Sequence, residues 1–294
     1  MTKAASVPGD LLRSWVVKMA PGDAANWFEQ QISVLNSAPG EKHLYLALGY
    51  AIGRLGKADL GLSRADLVAA NSVRPGWDPS DWSIDQAARL AFILAGQDGD
   101  AAKFKDRLEQ LFRTADVGEL IAFYRGLPLY PHPKLHNARA REGARSAMQP
   151  IFEAVAHRNP YPMEEFDENA WNHMVLKALF VGSKLDPIQG LDSRANPRLT
   201  RMLCDYAHER WSAGRPVSVE LWRCVGPFAD EDALADLARV LRTGGLAEQQ
   251  AAALALTASP SAAARELLAQ RPELAKAAAA GEPGWAALSV TAPQ

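Results

Sequence analysis

Apolar residues recur three and four positions apart along almost the whole chain, and no run alternates apolar with polar at every second residue. That period belongs to helices with one buried face, because a half-buried strand repeats every two residues. Trp15, Val16 and Met19 set the pattern, followed by Trp27, Phe28, Ile32 and Leu35. Residues 41–56 form an apolar helix closed by Gly56, and Ser63 is placed to cap a short helix that follows it. After the turn-rich break GWDPSDW, Ser80 or Asp81 is expected to cap the helix containing DQAARLAFILAG. Residues 100–114 put Phe104, Leu108, Leu111 and Phe112 on one face, and a short helix over 119–127 is halted by Pro128. Pro128, Pro131 and Pro133 make LPLYPHP a rigid non-helical connection. Helix resumes over about 134–157 with a break expected at Pro150, stops at Asn159-Pro160-Tyr161-Pro162, and returns over 169–180 and 197–213. The expected fold class is all-α, a multi-helical bundle or solenoid.

The texture changes near residue 230. From there come short alanine- and leucine-rich helices, EDALADLARVLRT, LAEQQAAALALTA and SAAARELLAQ, parted by Gly244-Gly245 and Ser259-Pro260. Short antiparallel pairs of this kind resemble HEAT-type repeats. The domain expectation is a helical core over 1–229, a HEAT-like tail over 230–281 and a flexible end over 282–294.

Several function classes find no support in the sequence. A net charge of −2 and a pI near 6.3, without a long basic run, give no electrostatic footprint for nucleic acid. No stretch of about 18 apolar residues is present to span a membrane. The N-terminal MTKAASVPGDLLRSWVVKMAPGD lacks the apolar core of a signal peptide, so the expected location is cytoplasmic. Cys204 and Cys224, each in an apolar helical context, read as buried thiols in a reducing compartment. Ser183 sits in Val181-Gly182-Ser183-Lys184-Leu185, which is not a nucleophile elbow, and no glycine-rich dinucleotide loop follows a strand. No cofactor and no metal are expected.

The candidates that remain are polar residues in loops and at helix ends. His132 and His136 are four apart, but Pro133 bars a continuous helix between them and the zinc-protease glutamate is absent. The basic run Lys134, Arg139, Arg141 and Arg145 is a solvated helix face or, beside Tyr130 and His132, a site for an anionic group. Asp167, Glu168 and Asn169 mark a helix start, with His173 one turn in as a candidate acid–base group. The connection over 182–196 holds Lys184, Asp186, Gln189, Asp192, Arg194 and Asn196. Asn196 caps the helix that opens on Pro197, and Asp192 and Arg194 can pair with each other. The alternative is a polar rim around a concave site. Arg201, Asp205 and Glu209 share one helix face as a surface ladder or, if buried, a suspect polar network. His208 lies on the same helix, and Trp222 and Arg223 read as core and rim.

Four segments carry a family resemblance: DWSIDQAARLAFIL, LIAFYRGLPLYPHP, LKALFVGSKLDPIQGLDSRANPRLTRMLCDYAHERWSAGR and VELWRCVGPF. Together they resemble the EboA family, bacterial proteins encoded in the ebo cluster. The resemblance implies a role in making and moving a small metabolite. It points to a non-catalytic binding or adaptor protein whose partners are a small polar metabolite or other ebo-cluster proteins. In that reading the 182–196 loop and the connection from Tyr130 to His136 line one groove. Arg194 and Arg139 meet anionic groups there, and Trp171 or Trp222 supplies stacking area. Two alternatives stand beside it. One is an enzyme using His173 or His208 with Asp186, Asp192 or Glu209 on a polar intermediate. The other is a purely structural solenoid that joins proteins.

Overall fold

The computed structural model describes residues 7–37, 40–97 and 99–291. Among them are eighteen α-helices, with 71% of the chain helical and no strand, so the all-α expectation holds. Two compact units divide the chain at Glu165 and Phe166. The expected boundary at 229/230 lies inside the second unit.

The first unit contains α1 (Val7–Met19), α2 (Gly22–Ser37), α3 (Glu41–Leu55), α4 (Arg64–Val73), α5 (Ile84–Leu94), α6 (Ala101–Thr114), α7 (Val117–Arg125), α8 (Asn137–Gly143), α9 (Gln149–Ala156) and α10 (Tyr161–Glu165). Its centre is α5, with α1, α2, α3 and α7 packed around it. A helix surrounded on all sides must be apolar all round, and every residue of α5 except Gln86 is buried. That burial includes Asp85 and Arg89, one turn apart, which form an ion pair through Arg89 Nη1, while Arg89 Nε has no partner among the described residues. The α5 cap is Ser83 and not Ser80 or Asp81: the Ser83 N–H donates to Gln86 Oε1 at 3.3 Å. Asp81 instead accepts from Arg125 on α7, at 2.8 Å. Ser63 caps α4 as expected, with its hydroxyl accepting from the Asp66 N–H.

Between α7 and α8 the chain makes two 3-10 turns, Leu127–Leu129 and Pro133–His136. The first begins at Gly126, where a Cβ would sit 2.3 Å from the Leu90 side chain and 2.5 Å from the Tyr130 hydroxyl. Only glycine lets the turn lie this close to α5. The break expected at Pro150 falls earlier, over residues 144–148, and Pro150 occupies the first turn of α9, where its missing N–H costs nothing.

The second unit contains α11 (Glu168–Phe180), α12 (Pro197–Ser212), α13 (Leu221–Val225), α14 (Glu231–Thr243), α15 (Leu246–Ala258), α16 (Ala262–Ala269), α17 (Pro272–Ala280) and α18 (Trp285–Thr291). Helices α13, α14, α16, α17 and α18 all pack on α15. Alanine on several faces of α15 permits that close approach, and Ala251, Ala252, Ala253 and Ala255 are buried. A Cβ at Gly226 would lie 2.2 Å from the Ala255 carbonyl oxygen. The helix pairs expected to stack as HEAT-like repeats thus cluster around one central helix. The end expected to be flexible carries α18, and positions 292–294 lie outside the described residues.

Candidate functional site

In the second unit the crowded loop over 182–196 is held by its own polar residues. Glu220, 5% exposed, turns its carboxylate back into the loop. One oxygen accepts the Asp186 N–H at 2.8 Å and the other the Leu185 N–H at 3.1 Å. Three residues on, Arg223 donates to Asp186 Oδ1 at 2.9 Å and to both oxygens of Asp192 at 2.6 and 2.7 Å. Asp192 therefore pairs with Arg223 and not with Arg194. Arg194 lies over the indole of Trp171, 4.7 Å from the ring centroid, and donates to the Phe166 carbonyl at 2.8 Å. Burial lowers its pKa against the pull of Asp167 and Glu168. Asn196 caps α12 through the Leu199 N–H at 2.9 Å and exchanges amide hydrogen bonds with Asn172 at 2.8 and 3.1 Å. Gln189 is half-buried inside the same loop.

The remaining second-unit candidates are also placed. Trp222 is core, 1% exposed, with its ring stacked 5.9 Å from that of Trp211. His173 is exposed on the first turns of α11, and its Nδ1 donates to the Asn169 carbonyl at 2.8 Å. His208 Nε2 meets both carboxylate oxygens of Asp236 at 2.8 Å, joining α12 to α14. Arg201, Asp205 and Glu209 are exposed and form no ion pair with one another among the described residues. A cavity of about 80 Å³ lies between Ser183, Tyr206, Arg210, Glu220 and Ser289, room for a few waters.

In the first unit, three of the four candidates are fixed by the protein itself. Tyr130 is buried and donates to the Phe123 carbonyl at 2.9 Å, and burial pushes its pKa well up. His136 is 1% exposed against Tyr130 and Phe104. Its Nε2 meets the Pro131 carbonyl at 3.0 Å; a carbonyl only accepts, so this nitrogen carries the proton. Desolvation lowers the His136 pKa. Arg139 is held by Glu109 and by Glu142, at 2.8 Å, with its guanidinium over Phe112. It borders a groove of about 530 Å³ along α6 and α8, with Nε, Nη1 and Nη2 each donating to Glu109 or Glu142.

His132 differs. It has φ 55° and ψ 60°, in the left-handed region, and is exposed; its carbonyl accepts the Leu135 N–H at 2.9 Å, while its imidazole has no hydrogen bond or ion pair to any described residue. It stands at the edge of a cavity of about 340 Å³. The walls are Gly96, Gln97, Gly99 and Asp100, the first three turns of α6, Pro131 and the start of α3 at Glu41. The turn is pinned by Gly96, whose N–H donates to Asn36 Oδ1 at 2.9 Å. Asp100 caps α6 by accepting from Ala102 and Lys103 at 3.0 and 3.1 Å. Phe104, 5% exposed, is the apolar wall, and Arg107 lies over its ring. Apart from His132, the sequence reading missed this cavity. Its only trace was the polar turn between two glycines, Gly96 and Gly99, ahead of an aspartate cap.

No group of three or more histidine, cysteine, aspartate or glutamate side chains among the described residues is placed to hold a metal ion. No helix among them is long and apolar enough to cross a membrane. Both cysteines are buried, and desolvation raises each thiol to about 12.

No curated protein and no solved structure matches the chain. Residues 9–226 match the family described as metabolite traffic protein EboA. The match takes in the cavity beside His132 and the stapled loop and ends at the turn that packs on α15. On that span the chain belongs to the EboA family.

Proposed function

We propose that this chain is a non-catalytic binding protein of metabolite traffic, that the cavity beside His132 holds its small polar cargo, and that it works in the cytoplasm with other ebo-cluster proteins. Family membership supplies the context of metabolite traffic. The observation that carries the site is His132. The chain holds a non-glycine residue in the left-handed region, at a cost of about 1 kcal/mol or more, and leaves its imidazole without a partner among the described residues at the mouth of a cavity. A volume of about 340 Å³ suits a small metabolite.

Binding fits this site better than catalysis. An acid–base pair needs an imidazole and a carboxylate within hydrogen-bond reach, and His132 has no such partner among the described residues. His208 with Asp236 has the distance, yet neither residue borders the cavities described, and Asp236 lies beyond the family span.

The test is untargeted mass spectrometry of small molecules that co-purify with the native protein, with His132→Ala and with Arg194→Ala. A compound kept by Arg194→Ala and lost from His132→Ala is the expected result. Loss from Arg194→Ala alone would return the site to the 182–196 loop. A retained partner protein with no small molecule would favour the adaptor role.

A further inference from the structure

The cavity of about 80 Å³ in the second unit is walled by charge and by a hydroxyl that the fold leaves unspent. Glu220 is 5% exposed and has no ion pair with any described residue. Its oxygens accept the Leu185 and Asp186 N–H groups, which leaves about two of a carboxylate's roughly four acceptor positions open. Arg210 is tied to the same segment. Its Nε donates to the Pro216 carbonyl at 2.9 Å, four residues before Glu220, and its guanidinium has no ion pair with any described residue. Ser289 on α18 points to an occupant independently of these charges. It is 8% exposed and borders the cavity, and its hydroxyl has no hydrogen bond to any described residue. A helical serine can spend its hydroxyl on the carbonyl one turn back. This one does not, and a buried hydroxyl calls for a partner.

We propose that this cavity binds the head group of an α-amino acid, with its ammonium on the Glu220 carboxylate and the Ser289 hydroxyl and its carboxylate on Arg210. A zwitterion matches both charges at once, so the site buries no net charge when filled. A simple cation would face Arg210, and a simple anion would face Glu220. Tyr206, 7% exposed, gives its proton to the Leu179 carbonyl at 3.3 Å and keeps an oxygen that accepts from the ammonium. Room for a few waters is room for about five non-hydrogen atoms, the size of that head group. Of the residues named on the walls, Ser289 alone lies outside the matched span 9–226. The site is in the other unit from the His132 cavity and does not depend on it.

The experiment titrates glycine, glycinamide and N-acetylglycine into the full chain and follows chemical shifts at the amides of Ser183, Ser218 and Ser289. Glycinamide lacks the carboxylate, and N-acetylglycine lacks the ammonium. Glycine should give saturable shifts with a Kd of about 1 mM, and the other two should bind about tenfold more weakly or worse. In Arg210→Gln the preference for glycine over glycinamide should vanish. In Ser289→Ala glycine should bind about threefold to tenfold more weakly. The amide shifts of Leu185 and Asp186 check that both variants keep the Glu220 contacts. N-acetylglycine binding as tightly as glycine overturns the pairing with Glu220. Glycinamide binding the native chain as tightly as glycine overturns the pairing with Arg210. Glycine that gives no saturable shift overturns the site.

Discussion

Replacing Glu220 tests whether the polar loop of the second unit is a binding site or a stapled connection. Its carboxylate accepts two backbone N–H groups, of Leu185 and Asp186, from a position only 5% exposed. Glu220→Ala removes both acceptors and leaves two donors unpaired where water enters poorly. Hydrogen bonds to a charged group contribute about 1.5–3 kcal/mol each. Arg223 still grips Asp186 and Asp192, which offsets part of the loss, so the expected cost is about 3 kcal/mol. For a unit of this size that is roughly 10 °C in Tm. Glu220→Gln keeps one acceptor and turns an amide NH₂ toward the other donor, so it should fall between wild type and alanine. Thermal unfolding followed by tryptophan fluorescence gives the cost, and hydrogen exchange at Leu185 and Asp186 shows where it arises. The two units can unfold separately, so the shift belongs to the transition that reports Trp171, Trp211 and Trp222. A cost under about 1 kcal/mol, with exchange at those two amides unchanged, would refute the staple.

Three further outcomes follow from packing and burial. Gly226→Ala places a methyl group on the Ala255 carbonyl and should destabilise the second unit by about 3 kcal/mol or more, measured by urea unfolding. His136 is buried with its pKa lowered, so the unfolded chain binds its proton more readily. The contribution is nil well above pH ~6.5 and becomes destabilising as pH falls through it. First-unit stability should therefore drop between about pH 7 and 5, and His136→Gln should flatten the drop in a urea series across pH. With both thiols at about 12, each is a thiolate in only about one molecule in ten thousand at pH 8. A thiol-reactive disulfide reagent should label Cys204 and Cys224 at the rate of unfolding, and fast labelling of the native protein would contradict their burial.

The helical fold was legible because periodicity reports burial, and burial decides which helices form. Residues 100–114 buried the four residues that their spacing named, and the caps at Ser63, Asp167 and Asn196 formed as their chemistry requires. The α5 cap at Ser83 was missed because three polar residues within four positions, Ser80, Asp81 and Ser83, offer similar caps, and tertiary contacts choose among them. Asp81 was taken by Arg125, from 44 residues away. The site was less legible for the same reason. Density of polar residues marked the 182–196 loop, yet a loop whose backbone is partly buried needs polar side chains to satisfy it. Glu220, 34 residues from the N–H it accepts, carries no local signal of that role. What separates a ligand contact from a staple is the lack of a protein partner, and that becomes visible only when distant elements are brought together. His132 was named from sequence for its spacing four residues before His136 and its place beside the basic run from Lys134.

The limits of the family match and of the folding unit are different, and that difference can be tested. The match stops at residue 226, and the change in texture near 230 makes the last helices look like an appendage. Packing says otherwise. Helix α13 buries four of its five residues, and α15 is one of the two long helices it packs against. Gly226 is glycine because the α15 backbone passes over it. A chain truncated after Ala229 would uncover the α15-facing surface of α13 and of the Gly226–Phe228 turn. Each large apolar side chain so exposed forfeits about 1.5–3 kcal/mol, and a few of them equal the whole stability of a domain of this size. Such a chain should bind the hydrophobic dye ANS and lose the cooperative transition of the second unit. In the first unit, the Trp15, Trp77 and Trp82 cluster belongs to a core that lacks none of its helices, so its transition should survive. A truncated chain that unfolds in two full transitions would show that α14 to α18 are accessory, and that the glycine at 226 answers to something other than α15.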